Sequence, residues 1–228
     1  MGPMLWHAVR LVTAVVTALA IVVQSSAVAN GVDEWDPSHF YANFTVQSSL
    51  IGIVVLVWAF RRRNSAPTRR LDLFRGAAAA YLVFTFFVAI LFLSDVDEGL
   101  RLPWVEVMLH KVLPVIIVID WILDPPRTGL RYTDALRWLA YPVVWLALTL
   151  VRGAADGWYP YSFLDPASGG YGTVAVSVVA IVIGLLAISA VLIWLGNWRS
   201  ASTPGPEAQH LEEPRPPVPA EPPGWEQR

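Results

Sequence analysis

Six stretches of this sequence are apolar over close to the length that a helix needs to cross a lipid bilayer: residues 5–28, 42–60, 73–94, 104–123, 136–151 and 173–194. A spanning helix takes roughly 20 mostly apolar residues. The bilayer core offers no water, so each backbone N–H and C=O has to be satisfied within the segment. The fifth stretch is the shortest and reaches span length only if Trp138, Tyr141 and Arg152 mark its interface zones. The ten-residue alternation of a membrane β-barrel does not occur. With 55% hydrophobic residues, the chain is too apolar for one soluble domain. The expectation is an all-α polytopic membrane protein with six transmembrane helices over residues 1–199.

Charge placement gives an independent reading of the topology. Basic residues favour cytoplasmic loops. Arg61, Arg62, Arg63, Arg69 and Arg70 fall between the second and third stretches, and Arg127, Arg131 and Arg137 between the fourth and fifth. With six helices and both termini cytoplasmic, all of the 16 Arg and Lys except Arg101, Lys111 and Arg152 lie on the inner side. The acidic stretches DEWD (33–36) and DVDE (95–98) lie on the outer side. These features predict a multi-pass protein of the cell membrane.

The two ends of the chain are read differently. Arg10, the apolar run after it and Ala27-Val28-Ala29 mimic a secretory signal with a cleavage site. The length of the run favours an uncleaved first span. From Ser200 onward the composition changes, with eight prolines from Pro204 and no apolar period. Residues 200–228 are expected to form a disordered cytosolic tail. PRPPVP within it could dock a polyproline-reading domain, although a solubilising tail explains it as well.

The absence of cysteine excludes disulfides, thiolate catalysis and cysteine-ligated metals. Fifteen Arg against one Lys, with much Ala and Val, hint at a GC-rich bacterial genome. No internal repeat, phosphate loop, dinucleotide fingerprint or heptad run occurs. No cofactor and no nucleic-acid partner are expected; the expected partners are membrane lipids.

Ionisable residues inside a span cost several kcal/mol unless paired or hydrated, so they are functional candidates by default. The fourth stretch holds His110, Lys111 and Asp120, with Glu106 near its start and Asp124 just past its end. Asp120 and Asp124 fall near the inner end, where arginines such as Arg127 can meet them. Lys111 is long enough to snorkel to the outer surface; His110 is not. Glu106 precedes His110 by four residues, which on an α-helix puts both on one face and lets the carboxylate orient the imidazole. Pro114 follows His110 by four, removes the N–H that its carbonyl would accept from, and predicts a kink. The competing account of His110 is a buried side chain bonded to a neighbouring carbonyl.

On the second stretch, Thr45, Ser48 and Ser49 share a helical stripe at i, i+3, i+4. Such stripes often only join helices. Thr45, however, falls at a depth similar to that of His110, and a hydroxyl beside an imidazole can form a nucleophile–base pair. The outer WYPYSFLDP loop (158–166) reads as a shaped cap on the bundle. Of the four histidines, at 7, 39, 110 and 210, only His110 lies at membrane depth, and no spacing supports a His39–His110 metal or haem pair.

Three stretches together resemble a known family. Phe44-Thr45 with Gln47-Ser48, then His110 with Pro114, Asp120-Trp121 and Pro125-Pro126, then Tyr159-Pro160-Tyr161 with Phe163-Leu164-Asp165, look like the signature of a bacterial family of six-helix integral membrane proteins. The resemblance covers about residues 5–195. That family is distantly similar to the androgen-induced and androgen-dependent transmembrane threonine hydrolases of fatty acid esters of hydroxy fatty acids. The resemblance implies Thr45 as nucleophile and His110 as base. Ser49 departs from the pattern, where Asn is expected after Gln-Ser, and so does Lys111 beside the histidine.

The expected function is an intramembrane threonine esterase acting on fatty-acyl esters, with Thr45, His110 and Glu106 at the site. Ser48, Ser49 or Lys111 would supply oxyanion donors. Thr45 and His110 are expected to line one cavity with the WYPYSFLD loop at its mouth. Two alternatives stay open. One is a proton-linked transporter or channel relaying through His110, Glu106 and Asp120; the other is a non-catalytic scaffold working through its tail.

Overall fold

The computed structural model of the protein describes residues 3–30, 37–92 and 102–202, which are helical throughout apart from short connections. In chain order they form α1 (Pro3–Ala29), α2 (Pro37–Ala42), α3 (Phe44–Arg61), α4 (Arg69–Phe92), α5 (Pro103–Val107), a π-helical turn (Met108–Val112), α6 (Leu113–Leu123), α7 (Asp134–Trp138), α8 (Ala140–Asp156), a 3-10 turn (Ser162–Leu164) and α9 (Pro166–Ala201). No strand occurs among the described residues. The acidic stretch 33–36, the acidic stretch 95–98 and the tail from residue 203 lie outside the described residues.

Among the described residues, five helical segments are long and apolar enough to cross a membrane: Met4–Ala29, Phe44–Arg61, Arg69–Leu91, Asp134–Asp156 and Pro166–Ala201. The short fifth stretch, expected over 136–151, lengthens to Asp134–Asp156, back into α7 and on to the end of α8. The fourth stretch corresponds to α5, the π turn and α6, which follow one another without a gap from 103 to 123. Large apolar side chains stand exposed along the long helices, among them Val12, Val54, Leu91, Leu148 and Ile183. Soluble monomers rarely carry so extended an apolar surface.

The helix ends follow from local chemistry. α8 stops at Gly157, which takes the left-handed conformation at φ 78° and donates its N–H to the Gly153 carbonyl. α9 starts with Asp165 as N-cap, accepting from the Ala167 N–H at 2.8 Å, and with Pro166 in its first turn. Its first turn is offset by Gly170, at φ 77° and ψ 168°.

α4 is central, packing against α3, α6 and α9. Its run Ala77–Ala80 is buried, and such small residues let helix backbones approach closely. Gly76 lies under the Trp138 indole, whose ring atoms come within 2.2 Å of where a Cβ would stand. Leu56, Leu82, Leu113, Leu185 and Ile193 fill the main core, and Ala20, Ile21, Val105, Met108 and Leu109 form a second cluster where α1 meets α5 and the π turn.

Hydrogen bonds sort the elements by end. At one end Arg10 of α1 meets Asp120 and Asp124, Arg69 of α4 meets Asp134 and the Gly129 carbonyl, and Asn197 of α9 exchanges two bonds with the Leu130 backbone. Ser200 of α9 donates to the Pro126 carbonyl there. At the other end the Leu102 N–H donates to Gln24 of α1 at 3.3 Å, and Arg152 reaches Ser38. The start of α1 and the end of α9 therefore share one end, called the basic end below.

Candidate functional site

α3 begins in an unusual way. Asn43 precedes it in an extended conformation but does not cap it; its Nδ2 donates instead to the His39 and Phe40 carbonyls, closing α2. Gln47 is clamped at both ends of its amide, donating to the Tyr41 carbonyl at 2.8 Å and accepting from the Tyr141 hydroxyl at 2.7 Å. Phe44 sits among Tyr81, Phe84, Tyr141 and Trp145, with ring centroids 5.0 to 6.2 Å away. These contacts hold the first turn of α3 on both sides of Thr45, which is 5% exposed.

The polar stripe points inward, as its spacing predicts. Ser48 and Ser49 are fully buried, and neither hydroxyl oxygen has a hydrogen-bond partner among the described residues. An unsatisfied buried hydroxyl costs about 1–3 kcal/mol, so two adjacent ones call for a role.

His110 is 2% exposed in the middle of the π turn, which packs against α1, α3 and α4. The turn closes where the Leu113 N–H reaches the Met108 carbonyl, five residues back. A physical cause is at hand. In a plain α-helix the Pro114 ring would strike the carbonyl of residue 110, and a π turn moves that carbonyl aside. The disturbance expected at Pro114 takes the form of a local change of winding.

The same winding corrects the expected Glu106–His110 pair. Side chains separated by four residues no longer stack in a π turn; those separated by five do. Glu106 accordingly pairs with Lys111, Nζ to Oε1 at 3.5 Å, with both side chains about half exposed. Lys111 is turned outward, as its length allows, and it takes Glu106 with it.

A cavity of about 40 Å³ opens beside Thr45, between α3, α4, α8 and α9. Phe44, Phe84, Thr85, Trp145, Tyr161 and Phe163 are among its walls, and His110 and Glu106 are not. The loop 158–166 thus borders the cavity through Tyr161 and Phe163, whose rings stack at 5.1 Å. Tyr159 of that loop lies directly on Gly153, 2.2 Å from the position of a Cβ. The cavity has space for a few waters or an ester group, but it is well short of the roughly 300 Å³ of a full small-molecule pocket. His39 is stacked on Trp158 at 4.0 Å, at the same end of the bundle.

The strongest polar construction lies at the basic end, and the sequence reading passed over half of it. Asp120, 4% exposed, accepts from Trp6 Nε1 at 2.8 Å and Arg10 Nε at 2.5 Å on one oxygen, and from Arg75 at 2.9 Å on the other. Arg10 also reaches Asp124, and Arg75 donates to the Asp124 carbonyl at 2.6 Å. Arg10 and Arg75 are 1% and 4% exposed. Arg127, one of the arginines expected to meet the aspartates, reaches Asp124 at 3.3 Å from the surface, while Asp120 is held by Arg10 and Arg75. Arg75 was not singled out in the sequence. The signal was Asp72 three residues before it, a carboxylate and a guanidinium on one face of an apolar helix. Burial pushes the Asp124 carboxyl up, but Arg75, Arg10 and Arg127 outweigh it and hold the group below its ordinary value.

Comparison of the chain with protein-family models, with curated proteins and with solved structures gives no match.

Proposed function

We propose that the chain is a six-pass protein of the cell membrane, with its basic end and both termini in the cytoplasm, and that it hydrolyses fatty-acyl esters with Thr45 as nucleophile and His110 as base. An even number of crossings fits a chain whose first and last long helices have their outer termini at one end. The run from 103 to 123 is the natural sixth crossing. At 1.5 Å per residue it is roughly 30 Å long, the thickness of the hydrocarbon core. The arginines at the basic end favour the cytoplasmic side.

The observation that carries the hydrolase reading is the buried hydroxyl stripe Thr45–Ser48–Ser49 on a helix packed against the π turn that holds the buried imidazole. π turns inside α-helices recur at functional sites. In the reaction an imidazole nitrogen of His110 takes the Thr45 hydroxyl proton, and Oγ1 attacks the ester carbonyl. The C–O bond to the alcohol breaks, and His110 returns the proton to the departing oxygen. Water, deprotonated by His110, then attacks the acyl-threonine carbonyl; the bond to Oγ1 breaks, His110 returns the proton to Oγ1, and the fatty acid is released. Ser48 and Ser49 are the available oxyanion donors, because Lys111 is engaged outside. Glu106 has no part in this arrangement. The small cavity suits the ester alone, so the acyl chain stays in the bilayer and the ester group enters past Val143, which is half exposed on the cavity wall.

A relay through Asp120 fits less well. Both of its oxygens are already taken by donors, and proton transfer would have to break the Arg10 and Arg75 contacts. The deciding assay is turnover of a panel of fatty-acyl esters by the purified protein. Thr45→Ala and His110→Ala should each abolish it. Full activity in either variant removes the assigned mechanism.

A further inference from the structure

A second, larger cavity, of about 500 Å³, lies at the basic end between the first turns of α1, the last turn of α3, the start of α4 and the end of α6. That volume is within the range of small-molecule sites. Five arginines line it, Arg10, Arg62, Arg63, Arg75 and Arg127, against Asp72 and Asp124. Arg10 and Arg75 are tied to Asp120 and Asp124, as described. Asp72 is occupied by Thr128, whose hydroxyl and N–H both donate to it, and by the Arg127 N–H.

Arg62 and Arg63 are left over. Among the described residues neither has a carboxylate partner. Arg62 donates to the Ala66 carbonyl at 3.4 Å and Arg63 to the Phe60 carbonyl at 3.1 Å. The Arg62 Nε is buried with no partner among the described residues. A guanidinium has five donors, so each has most of its fork unused, facing a cavity whose own acids are taken. Arginine forks match phosphate oxygens in pairs. Leu71, Leu123 and Trp6 give the same cavity an apolar side.

The geometry points to a phosphate-binding site in this cavity, with Arg62 and Arg63 as its principal ligands and Arg127 beside them. The shared chemistry is a phosphate ester, presented by an anionic phospholipid headgroup or by a soluble phosphate. The site stands apart from the hydrolase reading and does not rest on it.

The test uses the full chain purified in detergent. One arm titrates inorganic phosphate and glycerol 3-phosphate by microscale thermophoresis. The other counts lipid retained in native mass spectrometry after equilibration with equal phosphatidylcholine and phosphatidylglycerol. Binding in the first arm identifies a soluble phosphate, and selective retention of phosphatidylglycerol alone identifies a headgroup. In whichever arm binds, R62Q/R63Q should weaken binding by about tenfold or more. R61Q/R70Q removes equal charge from the same connection at two residues that do not line the cavity, and should leave binding unchanged. R127Q, a surface change, supplies an independent single variant and should also weaken binding. Failure of every probe to bind overturns the site. Equal weakening by the two double variants overturns it too, since that is the behaviour of a diffuse positive field.

Discussion

The aspartate at 120 shows how much a single residue decides here. Alone in an apolar helix it would be intolerable; between Arg10, Arg75 and Trp6 it fastens three helices at one point. Removing one member of a buried ion pair costs about 3–5 kcal/mol, because it leaves the other charge stranded. Asp120→Ala should therefore lower the thermal midpoint in detergent sharply. Arg127→Ala, at the surface, should change it little, since exposed pairs contribute about 0–1 kcal/mol. Asp124 gives a pH signature. Its folded pKa lies below the ordinary 3.8, so its stabilising contribution is complete above that value and is lost as pH falls through the depressed one. The thermal midpoint should stay level from about pH 7 to about pH 5 and fall below about pH 4, and Asp124→Asn should flatten that fall. At this scale the sequence was partly legible. It marked Asp120, Asp124, His110 and Thr45 as residues needing an explanation. It could not name Arg10 and Arg75 as the answer, because their partners lie about a hundred and about fifty positions away and only the packing of α1, α4 and α6 brings them together.

Among the elements, the π turn carries most of the consequence. Pro114 was readable as a disturbance at His110, but sequence spacing does not distinguish a kink from a change of winding. The change of winding moves Glu106 from His110 to Lys111. The chain contains no cysteine, so introduced pairs report cleanly. A short thiol-to-thiol cross-linker should join E106C/K111C readily and E106C/H110C poorly, since residue 110 points inward. Adding Pro114→Ala should reverse that preference, because the helix can then return to α winding. Close packing between elements makes a further point. Gly76→Ala would drive a methyl group into the Trp138 ring. Overpacking of this kind costs about 1–3 kcal/mol, and it should appear as a lower thermal midpoint with the helical circular dichroism unchanged at low temperature. The first, second and fourth helical runs were legible to within about two residues of their ends from apolar run length. The widest departures are the last two stretches: 136–151 runs on to Asp156 past Arg152, and 173–194 extends seven residues at each end, to Pro166 and Ala201, where glycines and polar residues break the apolar run.

For the whole molecule, the arginine bias and the hydrogen bonds between distant segments give one consistent layout. The polar contacts of Arg10, Arg69, Asn197 and Ser200 gather at the end that also carries Arg61–Arg63. The opposite end presents the loop of Tyr159, Tyr161 and Phe163 over the Thr45 cavity. On the proposed orientation, that arrangement would let a lipid ester reach Thr45 from the outer leaflet, with the arginine cavity toward the cytoplasm. The most direct test of this account is to look for the acyl-threonine itself. The purified protein is mixed with a fatty-acyl ester, quenched in acid within seconds, digested and analysed by mass spectrometry. The account predicts the acyl mass on the peptide carrying Thr45, absent in Thr45→Ala and greatly reduced in His110→Ala. Ester turnover with no adduct at Thr45, or with the adduct on another residue, would contradict it.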